Sequence, residues 1–484
     1  MTPQNASNTQ QSFIMGLIDH ASPLVKRCLV GFTLAAFLGI CVAMCVAPPQ
    51  TWLADYQAPY GDYAASPIDN SAICWMLTSS ALVLIMTPGV AFFYGGMINS
   101  KNVVATIATA ILPMCIIPIM WSFVGFSFAF GEDVGGIFGN PATYGLMYNV
   151  NAQPFSITPW LTTSTWFIFQ GMFAIITPAI IVGAISDRAN FAALCLFIPI
   201  WHILVYCPIT HMVWGGGIIA QWGLLDFAGG MVVHMSSGYS ALAAAYFVGP
   251  SKRTTKEGPA NVPYVVLGTA LLWFGWFGFN AGSAFGATAY AAHAFLNTNI
   301  ATAASMLSWM LMDQLQGHKF KTVGMCLGIV VGLVGITPAA GIVNPGAAMI
   351  IGIITAIVCS STQMLMAKWG RAVAEDTLDV FACHGMGGTV GMILTSLFQS
   401  VNAGAWDGLD GAFYGRPVEL GKCIAVLLAL MVWYTVTTYL ILSFVNLIIT
   451  VRVSEEEELE GLDVSKHGEN NYIPPGEAVK VTMT

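Results

Sequence analysis

The sequence predicts an all-α polytopic membrane protein. It reads as eleven transmembrane helices, a five-plus-five inverted repeat with a final long helix, after an N-terminal signal-like segment. Three observations predict this class. Of 484 residues, 56% are hydrophobic and only 8% charged, where an ordinary soluble protein carries about 25% charged residues. Apolar stretches of about 20 residues, the length that crosses ~30 Å of hydrocarbon, recur from Ser71 onward. From Lys101 onward the lysines and arginines fall in alternate connections between them, the intervening ones carrying none until Arg416 and Lys422. The 50 glycines fit the same class, because small residues let helices approach closely in lipid.

Taken in order, the spans fall near 71–98, 102–130, 159–185, 190–214, 226–249, 262–283, 293–313, 322–338, 344–367, 378–399 and 418–450. Lys101, Arg188, the group Lys252, Arg253 and Lys256, the pair Lys319 and Lys321, then Lys368 and Arg371, and finally Arg452 mark every second connection. Cytoplasmic loops carry the excess of basic residues. The N-terminal side of the first main helix is therefore expected outside and the C-terminus in the cytoplasm. Cys28 to Ala47, preceded by Lys26 and Arg27, has the basic flank, apolar centre and small residues of a signal peptide. Its removal leaves an odd number of spans that agrees with the charge alternation. The expected division is a tail and signal peptide at 1–47, a transmembrane domain at 48–450 and a cytoplasmic tail at 451–484.

Charge and cysteines exclude several functions. The net charge of −8, partly concentrated in SEEEELEG near the C-terminus, argues against nucleic-acid binding, which needs a basic patch. Eleven cysteines show no CxxC pair and no zinc spacing. No metal set and no nucleophile with a nearby base suggests an intramembrane enzyme, so neither a cofactor nor a metal is expected.

Two spans carry polar residues at membrane depth. The fifth, LLDFAGGMVVHMSSGYSALAAAYFVG, contains Asp226 and His234, and the tenth echoes it in DVFACHGMGGTVG with Asp379 and His384. Charged groups at mid-helix are disfavoured by at least ~2.5 kcal/mol on insertion scales, so something must compensate. An odd number of spans per half inverts the second half relative to the first, and inverted repeats put a substrate path at their interface near the midplane. If the two histidines meet there, one imidazole can donate to the other and the pair can pass a proton. A metal site would need further ligands, and none stands at ligand spacing. A lone intramembrane histidine is as often simply hydrogen-bonded to a neighbour. Asp226 and Asp379 each read as a helix N-cap whose carboxylate accepts backbone N–H groups. Aromatic residues crowd TWFIFQGMF, HMVWGGG and WFGWFGFN. Most are ordinary packing, but an indole face such as that of Trp214 attracts a cation, and the Ser283 hydroxyl could accept a hydrogen bond from the same ion.

The stretches FFYGGMINSKN, FQGMFAIITPAIIVGAISDR, HMVWGGG, DFAGGMVVH, WFGFNAGSA, NTNIATAAS, DVFACHGMGG and GLDVSKHGENNY, in this order, closely resemble ammonium transporters of the Amt/Mep/Rh superfamily, Amt branch. The resemblance runs from about Ser71 to Tyr472. It implies a homotrimer with one pore per subunit in the plasma membrane, the inner membrane if bacterial. It implies that Trp214, Phe173 and Ser283 recruit ammonium, with Asp226 in support. Phe173 and Phe279 would form a paired gate, Trp276 and Phe169 would line the pore, and His234 and His384 would be twin histidines that relay a proton while ammonia crosses. The tail resembles a segment that packs under the trimer, and a PII-type signalling protein is an implied possible partner; a solvated acidic tail is the plainer alternative. An ammonium sensor and a neutral ammonia channel stand as alternative functions.

Overall fold

The computed structural model describes residues 67–253, 258–369, 374–405 and 408–469, together with Ala35 and Gly39. The rest of the 1–47 signal-like segment, Lys256, Arg371 and the chain end from 470 lie outside the described residues. The first long helix, α1 (Asn70–Met97), starts where the Asp69 carboxylate accepts the N–H groups of Ser71 (2.8 Å) and Ala72 (3.2 Å). It is followed by α2 (Val103–Phe130), α3 (Thr163–Ala184), α4 (Phe191–Gln221), α5 (Gly230–Val248), α6 (Val262–Gly282), α7 (Ala289–Leu315), α8 (Thr322–Ile336), α9 (Pro345–Trp369), α10 (Phe381–Phe398) and α11 (Pro417–Ile448). Among the described residues, nine of these are long and apolar enough by themselves to cross a membrane. The protein is a multi-pass membrane protein.

The other two are the exceptions that polarity and length explain. Helix α8 has 15 residues, too few to cross ~30 Å at 1.5 Å per residue. Helix α7 has 27 residues but is interrupted by polar side chains that turn inward: Asn297 Nδ2 donates to the carbonyls of Ala340 and Val343 at 2.8 Å, and Thr298 Oγ1 accepts from Asn280 Nδ2 at 2.9 Å. Its start, capped by Thr288, lies ahead of the expected 293. The long connection after α2 is not wholly irregular. It contains a two-stranded antiparallel hairpin, Asp133–Val134 with Phe138–Gly139, tied to α4 by His211, whose Nδ1 lies 3.0 Å from the Ala129 carbonyl and Nε2 2.9 Å from Asp133 Oδ1.

Helices α5 and α10 cross antiparallel at the centre, and glycine sets their separation. A Cβ on Gly238 would stand 2.0 Å from the Gly385 nitrogen, while Gly388 lies against the Gly230 carbonyl and the His234 Cβ. The same principle packs α1 on α6, where a Cβ on Gly268 would meet the Phe93 nitrogen at 2.3 Å. Without a strong hydrophobic force between helices in lipid, such close backbone contact supplies the packing.

Among the described residues, to Glu469, the tail is more than a solvated acidic face. After α11 the chain forms α12 (Glu455–Glu460) and α13 (Leu462–His467), the first begun by a capping box of Ser454 and Glu457. The Glu458 carboxylate is buried and accepts Ser251 Oγ, the Lys252 N–H and an Arg452 guanidinium N–H, each at 2.7 Å. Asp463 accepts the Ala105 N–H at 2.8 Å and Asn102 Oδ1 accepts the Leu462 N–H at 2.7 Å. The tail thus docks on the α1–α2 and α5–α6 connections of its own subunit.

Candidate functional site

Aromatic and polar side chains from α3, α4, α5, α6 and α10 form a column through the molecule. At one end, Trp214, the last helical residue of α4 before its break at 215–217, donates its indole N–H to the Asp226 carbonyl at 2.9 Å. Its ring meets Phe173 edge to face at 5.8 Å between centroids. Phe173 lies on Phe279 at 4.2 Å and touches Phe169 at 5.0 Å. Ser283, one turn beyond Phe279, donates its hydroxyl to the Phe279 carbonyl at 2.9 Å, which leaves the oxygen lone pairs able to accept from a cation.

Below the phenylalanine pair two histidines enter the column. The His234 ring stacks on Trp276 at 5.4 Å and lies 6.0 Å from Phe279. Its Nδ1 stands 3.2 Å from the Nδ1 of His384, so one ring donates to the other. His234 is fully buried, and its Nε2 is buried without a hydrogen-bond partner among the described residues. Trp276 is fixed by its indole N–H on Thr337 Oγ1 at 2.9 Å. A narrow cavity of about 20 Å³ runs past His234, His384, Trp276, Phe279, Leu272 and Tyr94. That volume holds on the order of one small molecule, since a water needs ~10–15 Å³ by this measure.

Local backbone structure aims both histidines. Each lies in a π-helical turn, Gly230–Met235 and Phe381–Gly385, where the extra residue per turn rotates side chains off the regular helical register. The α5 turn starts at Gly229, whose φ of +125° suits glycine alone, and is closed by Asp226. Its Oδ1 accepts the N–H groups of Gly229 (2.9 Å) and Gly230 (2.6 Å), and its Oδ2 those of Met231 (2.7 Å) and Val232 (3.4 Å). One carboxylate so covers the unsatisfied donors of a helix start. The span at 226–249 accordingly begins later, at Gly230, with Asp226 ahead of it as cap.

The matching cap on α10 is not Asp379. Asp379 has φ +57° and its Oδ2 accepts Gln363 Nε2 at 2.6 Å, whereas Asp376 accepts the Phe381 N–H at 2.6 Å. Helix α10 starts at Phe381, after the expected 378. The signal was present in the spacing: Asp226 precedes His234 by the same eight positions as Asp376 precedes His384. Tyr94 and Thr337 are the other residues missed. Nothing in their sequence surroundings marks them, because they reach the column by tertiary packing of α1 and of the turn after α8. No group of three or more metal-ligating side chains occurs among the described residues.

Comparison with known proteins gives this column its setting. The sequence profile of the Ammonium Transporter Family matches residues 74–472. The ammonium transporter of Aquifex aeolicus (strain VF5) is 43% identical over 412 residues, covering 84% of this chain and 94% of its own. The crystal structure of Candida albicans Mep2 superposes with a TM-score of 0.75 at 35% identity, over 81% of this chain and 88% of that one. A protein described as a sensor Amt protein also matches, with a TM-score of 0.75 at 27% identity, over 82% of this chain and 98% of that one. The chain belongs to the ammonium transporter family.

Proposed function

We propose that the protein is an electrogenic ammonium transporter that separates ammonium into ammonia and a proton within its pore. The histidine pair at 3.2 Å, set in an otherwise apolar column beneath two touching phenylalanines, is the observation that carries this reading. The Trp214 end faces outside and the tail end the cytoplasm, as the alternation of basic loops suggests. Ammonium binds between the Trp214 ring and the Ser283 oxygen above Phe173, an aromatic and lone-pair site suited to a small cation. Asp226 contributes by fixing Trp214 and the start of α5. Its carboxylate already accepts four N–H groups.

Beyond that point charge is the obstacle. An ion entering the apolar constriction loses its hydration, whereas neutral ammonia crosses at little cost. The bare Nε2 of His234 takes the proton, the N–H on its Nδ1 passes to the Nδ1 of His384, and His384 becomes the imidazolium. Phe173 and Phe279 close the passage to hydrated ions; Trp276 and Phe169 wall it. Potassium has no proton to give up and is excluded. The working assembly is a homotrimer in the plasma membrane, the inner membrane in a bacterium. The docked tail is its regulatory surface and the place for a PII-type protein.

A sensor is the second reading, favoured by the likeness to the sensor Amt protein. Proteoliposome current after an ammonium pulse, with potassium as control, separates the two. An ammonium-specific current in the wild type that is lost or becomes unselective in His234→Ala supports transport with a histidine relay. Bound ammonium without current sinks it, and ammonia flux in a pH-jump assay then distinguishes a neutral channel from a sensor.

A further inference from the structure

Helices α5 and α10 begin with the same device, an aspartate eight positions ahead of a pore histidine, but the two carboxylates are not equally occupied. Asp226 has both oxygens engaged by backbone N–H groups. Asp376 accepts the Phe381 N–H through Oδ2, while its Oδ1 is buried with no hydrogen-bond partner among the described residues. A buried acceptor without a partner costs free energy unless something visits it.

The position of Asp376 suggests what visits. Its side chain lines a cavity of about 720 Å³ at the tail end, shared with Asp313, His318, Lys321, Gln363 and Asp379. Tyr94 and Cys383 both lie within electrostatic reach of its carboxylate. Tyr94 lines the narrow cavity together with His384 and donates its hydroxyl to the Ile180 carbonyl at 3.0 Å. Asp376 therefore lines the wide tail-end cavity and is within electrostatic reach of Tyr94, which lines the narrow cavity with His384. Asp379 is no substitute, because Gln363 occupies its Oδ2.

We propose that Asp376 is the group through which the relayed proton leaves the pore. This rests on the histidine relay proposed above. The N–H bond at the outer nitrogen of the His384 imidazolium breaks, its electron pair staying on the ring, and an O–H bond forms on Asp376 Oδ1 through water. That O–H bond then breaks and the proton joins ammonia in the wide cavity to give ammonium, or water to give hydronium. Asp376 returns to its starting carboxylate, while His384 is left neutral with its proton on Nδ1 and His234 neutral with its proton on Nε2, so the two rings exchange tautomers before the next cycle.

The electrostatic surroundings suit a group that both takes and gives a proton. Burial, and then the neighbouring Asp379, push the Asp376 carboxyl up; the N–H groups of Phe381 and Val380 and the Arg188 guanidinium pull it back, leaving it at about 7. Arg188 is itself buried, with Asp187 at 2.6 Å and the Glu375 carbonyl as further partners. A proton carrier works best with a pKa near the operating pH.

The test uses full-length protein in proteoliposomes, measuring ammonium-evoked current and ammonia flux together while the pH on the tail side is varied over about two units around neutrality. Wild type should show a current with a midpoint near pH 7. Asp376→Asn, which keeps an oxygen for the Phe381 N–H, should lower the charge carried per ammonia by roughly tenfold or more. Asp376→Glu should restore the charge ratio with a displaced midpoint, and Asp379→Asn should move the midpoint down by removing a neighbouring negative charge. A wild-type current independent of tail-side pH overturns the proposal without any variant. So does Asp376→Asn with wild-type current and midpoint. If the current depends on His234 but not on Asp376, only this inference fails; if wild type carries no ammonium current, or His234→Ala keeps it unchanged, the relay fails and this inference with it.

Discussion

Gly238 has no room for a methyl group. A Cβ there would lie 2.0 Å from the nitrogen and 2.3 Å from the Cα of Gly385, and backbone cannot swing aside as a flexible side chain can. Gly421 in α11 is the natural control, since a Cβ there meets nothing within 4 Å. Gly238→Ala should force α5 and α10 apart, lengthen the 3.2 Å bond between the histidines and abolish ammonium current, with a lower melting temperature in detergent. Gly421→Ala should leave current unchanged and melt at the same or a slightly higher temperature, because alanine is the better helix former by about 1 kcal/mol. Equal melting temperatures and equal currents for the two variants would show that the crossing does not fix the histidine geometry. The same residue-scale logic explains why a single aspartate suffices to start α5. Four donors converge on Asp226, and an N-cap of this kind is typically worth about 1 kcal/mol or more.

At the scale of elements, the docked tail responds to acid with a sign that can be worked out. Burial raises the Glu457 carboxyl, but Lys466 at 2.6 Å and the Ser454 capping box outweigh it and hold the group below its ordinary value of 4.5. A depressed carboxylate contributes stability that is complete above 4.5 and lost as pH falls through the folded value. Asp463 runs the other way. Burial raises it above 3.8 despite the N–H groups of Ala105, Val104 and Val103, so its protonation does not loosen the tail. Hydrogen-exchange protection across 455–467, taken relative to the intrinsic amide rate at each pH, should therefore fall as the pH drops below 4.5 in wild type and lose much of that acid response in Lys466→Ala; identical profiles would show that the Lys466 pair does not set it. Part of this organisation was legible in the sequence and part was not. Span positions followed from apolar run length, and Gly229, Gly230, Gly385, Gly387 and Gly388 beside the two histidines are the local signal for the close crossing. The α10 cap was misread because Asp376 and Asp379, three positions apart ahead of one apolar run, look alike until the eight-residue spacing is compared with that of α5. Burial of Glu458 was hidden because a run of four glutamates gives no sign that one of them meets Ser251 and Arg452 across more than 200 positions for Ser251. The π-helical turns that aim the histidines have no local propensity signal at all, since packing imposes them.

For the whole molecule, the proposed mechanism makes selectivity depend on keeping every cation from crossing as a cation. Potassium and ammonium are similar in size, so the proposed recruiting surface of Trp214, Phe173 and Ser283 cannot separate them strongly; on the proposed mechanism the separation comes from the apolar stretch and the histidine pair beneath. A neutral histidine pair presents no fixed negative charge to offset the lost hydration of potassium, and that loss is large in an apolar passage. Converting the pair to carboxylates removes this barrier, because two ionised acids at the midpoint supply the compensating charge and hold water around it. The variant His234→Asp with His384→Glu should therefore conduct potassium measurably, while the wild type carries ammonium alone and single alanine variants carry little of either. Ion-substitution currents on the same proteoliposomes decide it. If the doubly acidic variant folds and still rejects potassium, the barrier lies at the Phe173–Phe279 contact rather than at the histidines, and the opening of that gate becomes the selective step.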